Sequence, residues 1–146
     1  APSTPFTRED AARVSALAKD VTEYLAGLEL TWPQEKSGLV VAYHAACSLQ
    51  HGQQIRGKAE TLLTAAGYDL TPVPDGHLCC GSAGTYSILQ PELSQQLLAN
   101  KVTALESGAP AGVATANVGC LTHIQSGTKT PVRHWIEWID EQLGKG

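Results

Sequence analysis

The stretch Gly38-Leu-Val-Val-Ala-Tyr-His44 decides the fold class of this chain. It is a short, nearly continuous apolar run, which is typical of a strand buried on both faces of a parallel sheet. Helical and strand-like patterns alternate after it: a helix over residues 53–66 stopped by Gly67, a strand over 68–73, a helix from Pro91 to Gly108, strands over 112–117 and 131–134, and a closing helix with Trp135, Ile136, Ile139 and Leu143 on its apolar stripe. This order predicts an α/β fold with an open, mostly parallel, Rossmann-like sheet of about four strands flanked by helices.

A separate segment precedes the alternating part. Apolar residues recur at helical spacing between Thr7 and Leu28, with Thr7 placed to cap the start, so one amphipathic helix is predicted. A polar stretch that contains Pro33 then connects it to the first strand. We therefore predict an N-terminal helical segment over residues 1–30 and a cysteine-rich α/β domain over residues 38–146.

Composition narrows the class of partner. Ten Lys and Arg residues stand against 14 Asp and Glu in a chain of 146 residues, and this net charge of -4 argues against nucleic acid as the partner. No stretch approaches the roughly 20 apolar residues that span a bilayer, and the start lacks the features of a signal peptide, so a cytoplasmic location is predicted. The sequence contains no methionine, which predicts a piece of a longer polypeptide.

The four cysteines follow the ends of predicted strands. Cys47 lies three residues after the first strand, Cys79 and Cys80 follow the second, and Cys120 lies three residues after the third. Because the carboxyl ends of parallel strands share one edge, where α/β sheets bind ligands, these thiols are expected to converge. Two adjacent cysteines suit an ordinary disulfide framework poorly, so metal or redox chemistry is the better interpretation.

Several kinds of site could use such thiols. Soft thiolate ligands select zinc, copper(I) or iron-sulfur clusters. Structural zinc usually takes C-x2-C pairs, which this chain lacks, and adjacent cysteines project apart, which favours a large multi-iron cluster over one zinc ion. A zinc-stabilised interaction domain and a thiol-disulfide redox module built on Cys79 and Cys80 remain open alternatives.

The cysteine pattern also resembles a known family. The order Cys47-x31-Cys79-Cys80-Gly81-x35-Asn117-x2-Cys120 resembles the cysteine-rich CCG domain of heterodisulfide reductase B subunits and of iron-sulfur oxidoreductase subunits. The surrounding stretches HAACSLQHGQQI at 44–55, LCCGSAGTYSILQPELS at 78–94 and ANVGCLTHI at 116–124 are similar to the C-terminal CCG domain of glycolate oxidase iron-sulfur subunits.

The resemblance implies a set of site residues. The cluster ligands would be Cys47, Cys79, Cys80 and Cys120. From their own positions beside the ligand loops, His44 and His123 are expected to hydrogen-bond loop backbone or cluster sulfur, and Gly81 to let the backbone turn close to the cluster. The spacing Cys120-x2-His123 leaves open a zinc or mixed cluster site that includes His123. The family's pattern ends in C-x2-C, and Asn117 stands where the first of these cysteines falls. Five cysteines imply a non-cubane cluster, and four are equally compatible with a 4Fe-4S cubane. An amide is a poor iron ligand, so Asn117 is expected to hydrogen-bond sulfur or backbone near Cys120.

The resemblance also implies a function. The chain would be an electron-transfer part of a glycolate oxidase (glycolate dehydrogenase) complex, which relays electrons from flavin-containing catalytic subunits to an acceptor. That acceptor would be membrane-associated and reached through the complex, at the periphery of the inner membrane. The sequence offers no dinucleotide fingerprint and no obvious catalytic base, so the domain itself is expected to be non-catalytic.

Overall fold

The computed structural model describes residues 4–32, 36–45, 57–74, 79–82 and 86–144. Its strands are β1 (Val40–His44), β2 (Asp69–Leu70), β3 (Gly112–Thr115) and β4 (Val132–His134). Its helices are α1 (Arg8–Leu17), α2 (Val21–Ala26), α3 (Lys58–Ala65), α4 (Tyr86–Leu89), α5 (Pro91–Glu106), α6 (Val118–Gly127) and α7 (Trp135–Leu143). None of the helices in these ranges has the length and apolar character needed to cross a membrane.

The strands form one open parallel sheet, which confirms the predicted fold class. The strand order is β2-β1-β3-β4, and every neighbouring pair is parallel. The register places His44 beside Thr115, and Thr115 beside His134. The carboxyl ends of the three longer strands therefore finish level with one another.

Helices cover both faces of this sheet. Successive side chains of a strand point to opposite faces, so Val41 and Ala42 belong to two different cores. Helices α3 and α7 pack on the face of Val41, with α2 against α3, and helices α5 and α6 pack on the face of Ala42. The result is a three-layer α/β/α arrangement with two separate cores.

The first core, which we call the tryptophan face, is held by large rings and long-range hydrogen bonds. Its buried residues are Val41, Ala59, Leu63, Ala66, Tyr68, Ala114, Trp135, Trp138 and Ile139. The Tyr68 hydroxyl donates to the Trp138 carbonyl at 2.6 Å, and the Trp138 indole donates to the Val113 carbonyl at 3.2 Å. A Cβ at Gly112 would overlap the Trp138 ring, so glycine is needed for this close approach. The two tryptophans of α7 are therefore core residues.

The second core, which we call the thiol face, contains two of the cysteines. Its buried residues are Ala42, Cys80, Leu98, Val102, Leu105, Val113, Cys120, Ile124 and Val132. Helix α5 begins with Pro91 as predicted, and its buried residues Leu98, Val102 and Leu105 lie at helical spacing against the sheet. This face carries the polar groups described below.

The N-terminal helix differs from the prediction. One helix from Thr7 to Leu28 was expected, but the chain forms α1 and α2, because Ala18 is extended and the Asp20 side chain caps α2 by accepting from the Thr22 amide at 2.8 Å. The cap by Thr7 is confirmed, since its hydroxyl accepts from the Asp10 amide at 3.1 Å. Helix α1 buries none of its residues. The division into two domains stays a prediction.

Other boundaries also differ from the prediction. The helix expected over 53–66 is observed from Lys58 to Ala65, and residues 53–56 lie outside the described ranges. Strand β2 contains only two residues, and the amides of Asp69 and Thr71 bond it to β1 by donating to the carbonyls of Leu39 and Val41, each at 3.0 Å. Strand β3 ends at Thr115 because Asn117 begins α6 as its N-cap. The four-residue helix α4 was not predicted.

Candidate metal centre

The paired cysteines lie in a tight turn that only glycine suits. Gly81 has φ +92, a left-handed conformation, and its amide donates to the Cys79 sulfur at 3.3 Å. A Cβ at this position would lie 2.6 Å from the carbonyl oxygen of Ser94 in α5. The predicted need for glycine after the cysteine pair therefore has two causes, the backbone conformation and the close approach of α5.

Ser94 ties this turn to both helices of the thiol face. Its hydroxyl is fully buried, donates to the Gly81 carbonyl at 2.8 Å and lies 3.3 Å from Nε2 of His123 in α6. His123 therefore reaches the cysteine turn through Ser94. Sequence reasoning missed Ser94, although a signal was present: it lies one helical turn before Leu98 on the buried stripe of α5, where a small polar residue is unexpected.

Asn117 places Cys120 in the first turn of α6. Its side-chain oxygen accepts from the Cys120 amide at 3.0 Å, which is the hydrogen bond expected near Cys120. As the N-cap, Asn117 fixes where the helix starts and hence which residue of the first turn faces the sheet. The Cys120 side chain is thereby buried, with 8% of its surface exposed.

Three potential ligand atoms meet at the carboxyl edge of the sheet. The sulfurs of Cys80 and Cys120 and a ring nitrogen of His44 all lie within 4.8 Å of one another, and all three residues are buried. The Ser82 hydroxyl bridges the sulfurs, at 3.0 Å from Cys80 and 3.6 Å from Cys120. Cys79 is half-buried and does not belong to this set of described ligand atoms, although it is next to Cys80.

The remaining predicted site residues have different outcomes. Cys47 lies outside the described residues. His123 is not in the set of converging atoms. His134 caps α7, with Nδ1 accepting from the Ile136 amide at 3.2 Å.

The surroundings of Cys80 favour its thiolate. The hydrogen bond with Cys120 is the main cause that lowers the pKa of Cys80; burial acts in the opposite direction, and His44 and Ser82 lower the pKa further. The His44 ring acts by its proximity, because neither nitrogen meets hydrogen-bond geometry with a described residue. Since the thiolate is the form that binds metals and attacks electrophiles, this position is prepared for either chemistry.

The donor set can be compared with metals. Two thiolates and an imidazole suit zinc or an iron-sulfur cluster, whereas hard cations such as Mg²⁺ prefer oxygen ligands. Two ligands at about 2.3 Å from one metal ion are at most about 4.6 Å apart, so atoms within 4.8 Å of one another need only a small approach to contact one metal centre. The ring nitrogens of His44 also favour a metal. They are buried and have no hydrogen-bond partner among the described residues, and such atoms normally bind either a hydrogen-bond partner or a metal. The described residues therefore fit a thiolate-binding metal group.

Fold and site together define a cysteine-rich α/β domain with its chemistry at one sheet edge. The model of the family described as "CCG: Cysteine-rich domain" matches residues 41–125, and the chain belongs to this family.

Curated relatives narrow the comparison. The chain is 47% identical over 137 residues to the "Glycolate oxidase iron-sulfur subunit" of Escherichia coli, a match over 94% of this chain and 34% of that protein. It is 29% identical to "Lactate utilization protein A" of Geobacillus thermodenitrificans, over 82% of this chain and 51% of that protein. It is 30% identical to the "Probable glycolate oxidase iron-sulfur subunit" of Bacillus subtilis, over 84% of this chain and 28% of that protein. The chain thus spans between 28% and 51% of the length of these relatives.

Proposed function

We propose that this chain is an iron-sulfur electron-transfer domain of a glycolate oxidase (glycolate dehydrogenase) type complex. The observation that carries the proposal is the convergence of His44, Cys80 and Cys120 at one buried sheet edge. The names of the relatives support the same class, since two of the three described above are called iron-sulfur subunits of glycolate oxidase. We propose a 2-hydroxy acid substrate and a multisubunit complex for this chain on the basis of those names.

The residues have distinct roles in this proposal. Cys47, Cys79, Cys80 and Cys120 bind the cluster, which is of the 4Fe-4S or the non-cubane type and supplies one-electron transfer when bound. The Gly81 turn and the Asn117 cap hold Cys80 and Cys120 in place. His123 supports the turn through Ser94. Burial of the sulfurs limits their contact with water, one of the factors that tune the potential of such centres.

We extend the proposal to the partners and the location of this domain. Flavin-containing subunits of the same complex would deliver the electrons, and the complex would pass them to a membrane-associated acceptor. The domain would then lie on the cytoplasmic side, at the periphery of the inner membrane. In this arrangement the oxidation of the 2-hydroxy acid takes place on another subunit, and this domain carries no catalytic residue.

A zinc-stabilised interaction domain is the second candidate. The observation that favours it is the donor set itself, since one imidazole and two thiolates are three of the four ligands of a common structural zinc site. In that case the metal would hold together β1, the cysteine turn and α6 without any electron transfer.

Metal and sulfide analysis of anaerobically prepared protein tests both. The electron-transfer proposal predicts a brown protein with iron and acid-labile sulfide, whose visible absorption bleaches on reduction by dithionite. The zinc alternative predicts a colourless protein with one zinc per chain and no sulfide. A metal-free protein that is active by reversibly forming and reducing a Cys79–Cys80 disulfide would instead favour the thiol redox module.

A further inference from the structure

His44 is a buried histidine whose ring nitrogens have no well-aligned hydrogen-bond partner among the described residues. It is the last residue of β1, only 1% of its surface is exposed, and neither ring nitrogen has a partner in the part of the chain that the structure describes. An unpaired buried polar group loses its hydrogen bonds to water without replacement, and native structures pair almost all such groups. A histidine in this position therefore needs a physical reason.

The position of the His44 ring beside two thiols supplies such a reason. Side chains alternate along β1, so His44 shares the thiol face with Ala42, and a ring nitrogen lies within 4.8 Å of the Cys80 and Cys120 sulfurs. A neutral imidazole nitrogen is among the commonest metal ligands in proteins.

A second unpartnered polar group lies beside the first. Thr115 is in register with His44 on the neighbouring strand, and it is fully buried with no hydrogen bond to its hydroxyl among the described residues. Because residues in register on adjacent parallel strands share a face, its side chain also lies on the thiol face. His44 and Thr115 are thus two neighbouring polar residues whose side chains have no hydrogen-bond partner among the described residues, and the His44 ring lies next to two thiols.

The geometry points to His44 as a direct metal ligand, bound through a ring nitrogen beside the thiolates of Cys80 and Cys120. This replaces the outer hydrogen-bonding role expected from the sequence. The Thr115 hydroxyl then donates a hydrogen bond to the same bound group. The identity of that group as an iron-sulfur cluster rests on the proposed function, whereas the ligand role of His44 rests on the structure alone. The side-chain oxygen of Asn117 already accepts from the Cys120 amide, whereas a ring nitrogen of His44 lies within 4.8 Å of both sulfurs.

Such a ligand has a consequence for electron transfer. A neutral imidazole in place of an anionic thiolate lowers the negative charge around the iron, and histidine-for-cysteine exchange raises the reduction potential of iron-sulfur centres. A domain with His44 bound would therefore accept electrons more readily than one with a fully cysteine-ligated cluster.

The decisive measurement uses the unaltered chain with ¹⁵N-labelled histidine, reconstituted with iron and sulfide. In the paramagnetic state of the cluster, electron-nuclear double resonance is expected to show a strongly coupled histidine nitrogen. A cluster-bearing protein with no such coupling would overturn the ligand role of His44 and leave the proposed function standing. This measurement needs no variant, so it does not depend on the folding of a mutant.

Two variants assign the coupling to a residue. His44→Leu fills the same space without a nitrogen, and the coupling should disappear; if it persists, another histidine is the ligand. His134→Asn is the matched control, since it retains an acceptor for the Ile136 amide and should keep the full coupling.

Co²⁺ binding to the metal-free protein separates this inference from the proposed function. His44→Leu should weaken Co²⁺ binding by more than the roughly 10- to 100-fold typical of an outer partner, and should shift the visible bands of bound Co²⁺. An unchanged affinity and spectrum would overturn the inference. If the unaltered chain takes up no iron or sulfide, the proposed function fails, and the Co²⁺ result still decides the role of His44.

Discussion

The two faces of the sheet use the same strands for opposite purposes. On the tryptophan face, the polar atoms of Tyr68, Trp138 and Gln142 all form long-range hydrogen bonds within the chain, the last by donation to the Ala66 carbonyl at 3.1 Å. On the thiol face, the polar atoms of His44 and Thr115 form none with a described residue. The tryptophan face thus uses these polar atoms within the chain, whereas the thiol face has polar groups beside two thiols that no described residue satisfies.

The contrast shows that an unsatisfied buried polar group indicates a binding site only when the group can bind a ligand and its neighbours can do so too. The indole nitrogen of Trp135 on the tryptophan face also lacks a partner among the described residues. An indole N–H can only donate, however, so it offers no lone pair to a metal. His44 offers one, and it lies with two sulfurs. We therefore assign stability mainly to the tryptophan face and ligand binding to the thiol face.

The largest expected effect is the loss of the metal from the thiol face. Cys80→Ser or Cys120→Ser should abolish iron incorporation, because a hydroxyl is a much poorer ligand for iron than a thiolate. In urea, the free energy of unfolding of the metal-free variants should lie within about 1 kcal/mol of that of the metal-free unaltered chain, since the substitution is small. Retention of iron in both variants would break the comparison, because the thiol face would then not be the binding face.

The tryptophan face should show the reverse behaviour. Trp138→Ala removes a buried ring together with its hydrogen bond to Val113, and should lower the free energy of unfolding by about 3–5 kcal/mol. Iron per folded chain should stay unchanged, as measured on the folded fraction after gel filtration. A variant of normal stability that loses iron would show that the two faces are coupled.

Gly81→Ala tests the turn between the cysteines and α5. The left-handed φ and the 2.6 Å approach to the Ser94 carbonyl should cost about 1–3 kcal/mol in urea unfolding, accompanied by a lower iron content. Gly38→Ala is the matched control, because Gly38 also has a positive φ, +70, but open space around the added Cβ. Equal iron loss in both variants would mean that backbone strain, and not the contact with α5, controls the site.

The smallest effect is expected at the cap of α6. Asn117→Ala should cost about 0.5–2 kcal/mol, because the Cys120 amide loses its acceptor. Asn117→Ser keeps a capping oxygen and should retain most of the stability. Iron affinity should fall by about 10- to 100-fold at most in the alanine variant, as for an outer partner. Complete loss of iron from Asn117→Ala would instead identify the amide as a ligand.

Much of the fold could be predicted because the strands and helices carry periodic signals. The apolar run before His44 and the alternation after it indicated the parallel sheet, and the start of α5 followed from Pro91. The break between α1 and α2 could not be predicted from periodicity, because the apolar spacing continues across it while Asp20 starts a new helix. Helical spacing reports which face is apolar, and it is insensitive to a local cap.

The site was only partly predictable for a related reason. Strand ends indicated that Cys80 and Cys120 would meet, and the structure brings them together. The contact of Ser94 with Gly81 joins residues 13 positions apart through tertiary packing, so no local pattern announces it. Because side chains alternate along a strand, the sequence could have predicted that His44 lies on the same face of the sheet as Ala42. Only the structure shows that the His44 ring nitrogens have no hydrogen-bond partner in the described ranges.

The order of the strands has a consequence for biosynthesis. The converging atoms come from β1, from the turn after β2 and from α6, and β1 pairs with β3 only once the intervening helices have been made. During synthesis, a ribosome would therefore release His44 and Cys80 well before Cys120 could join them. The complete set of three converging atoms is therefore available to a metal only after α6 has been made.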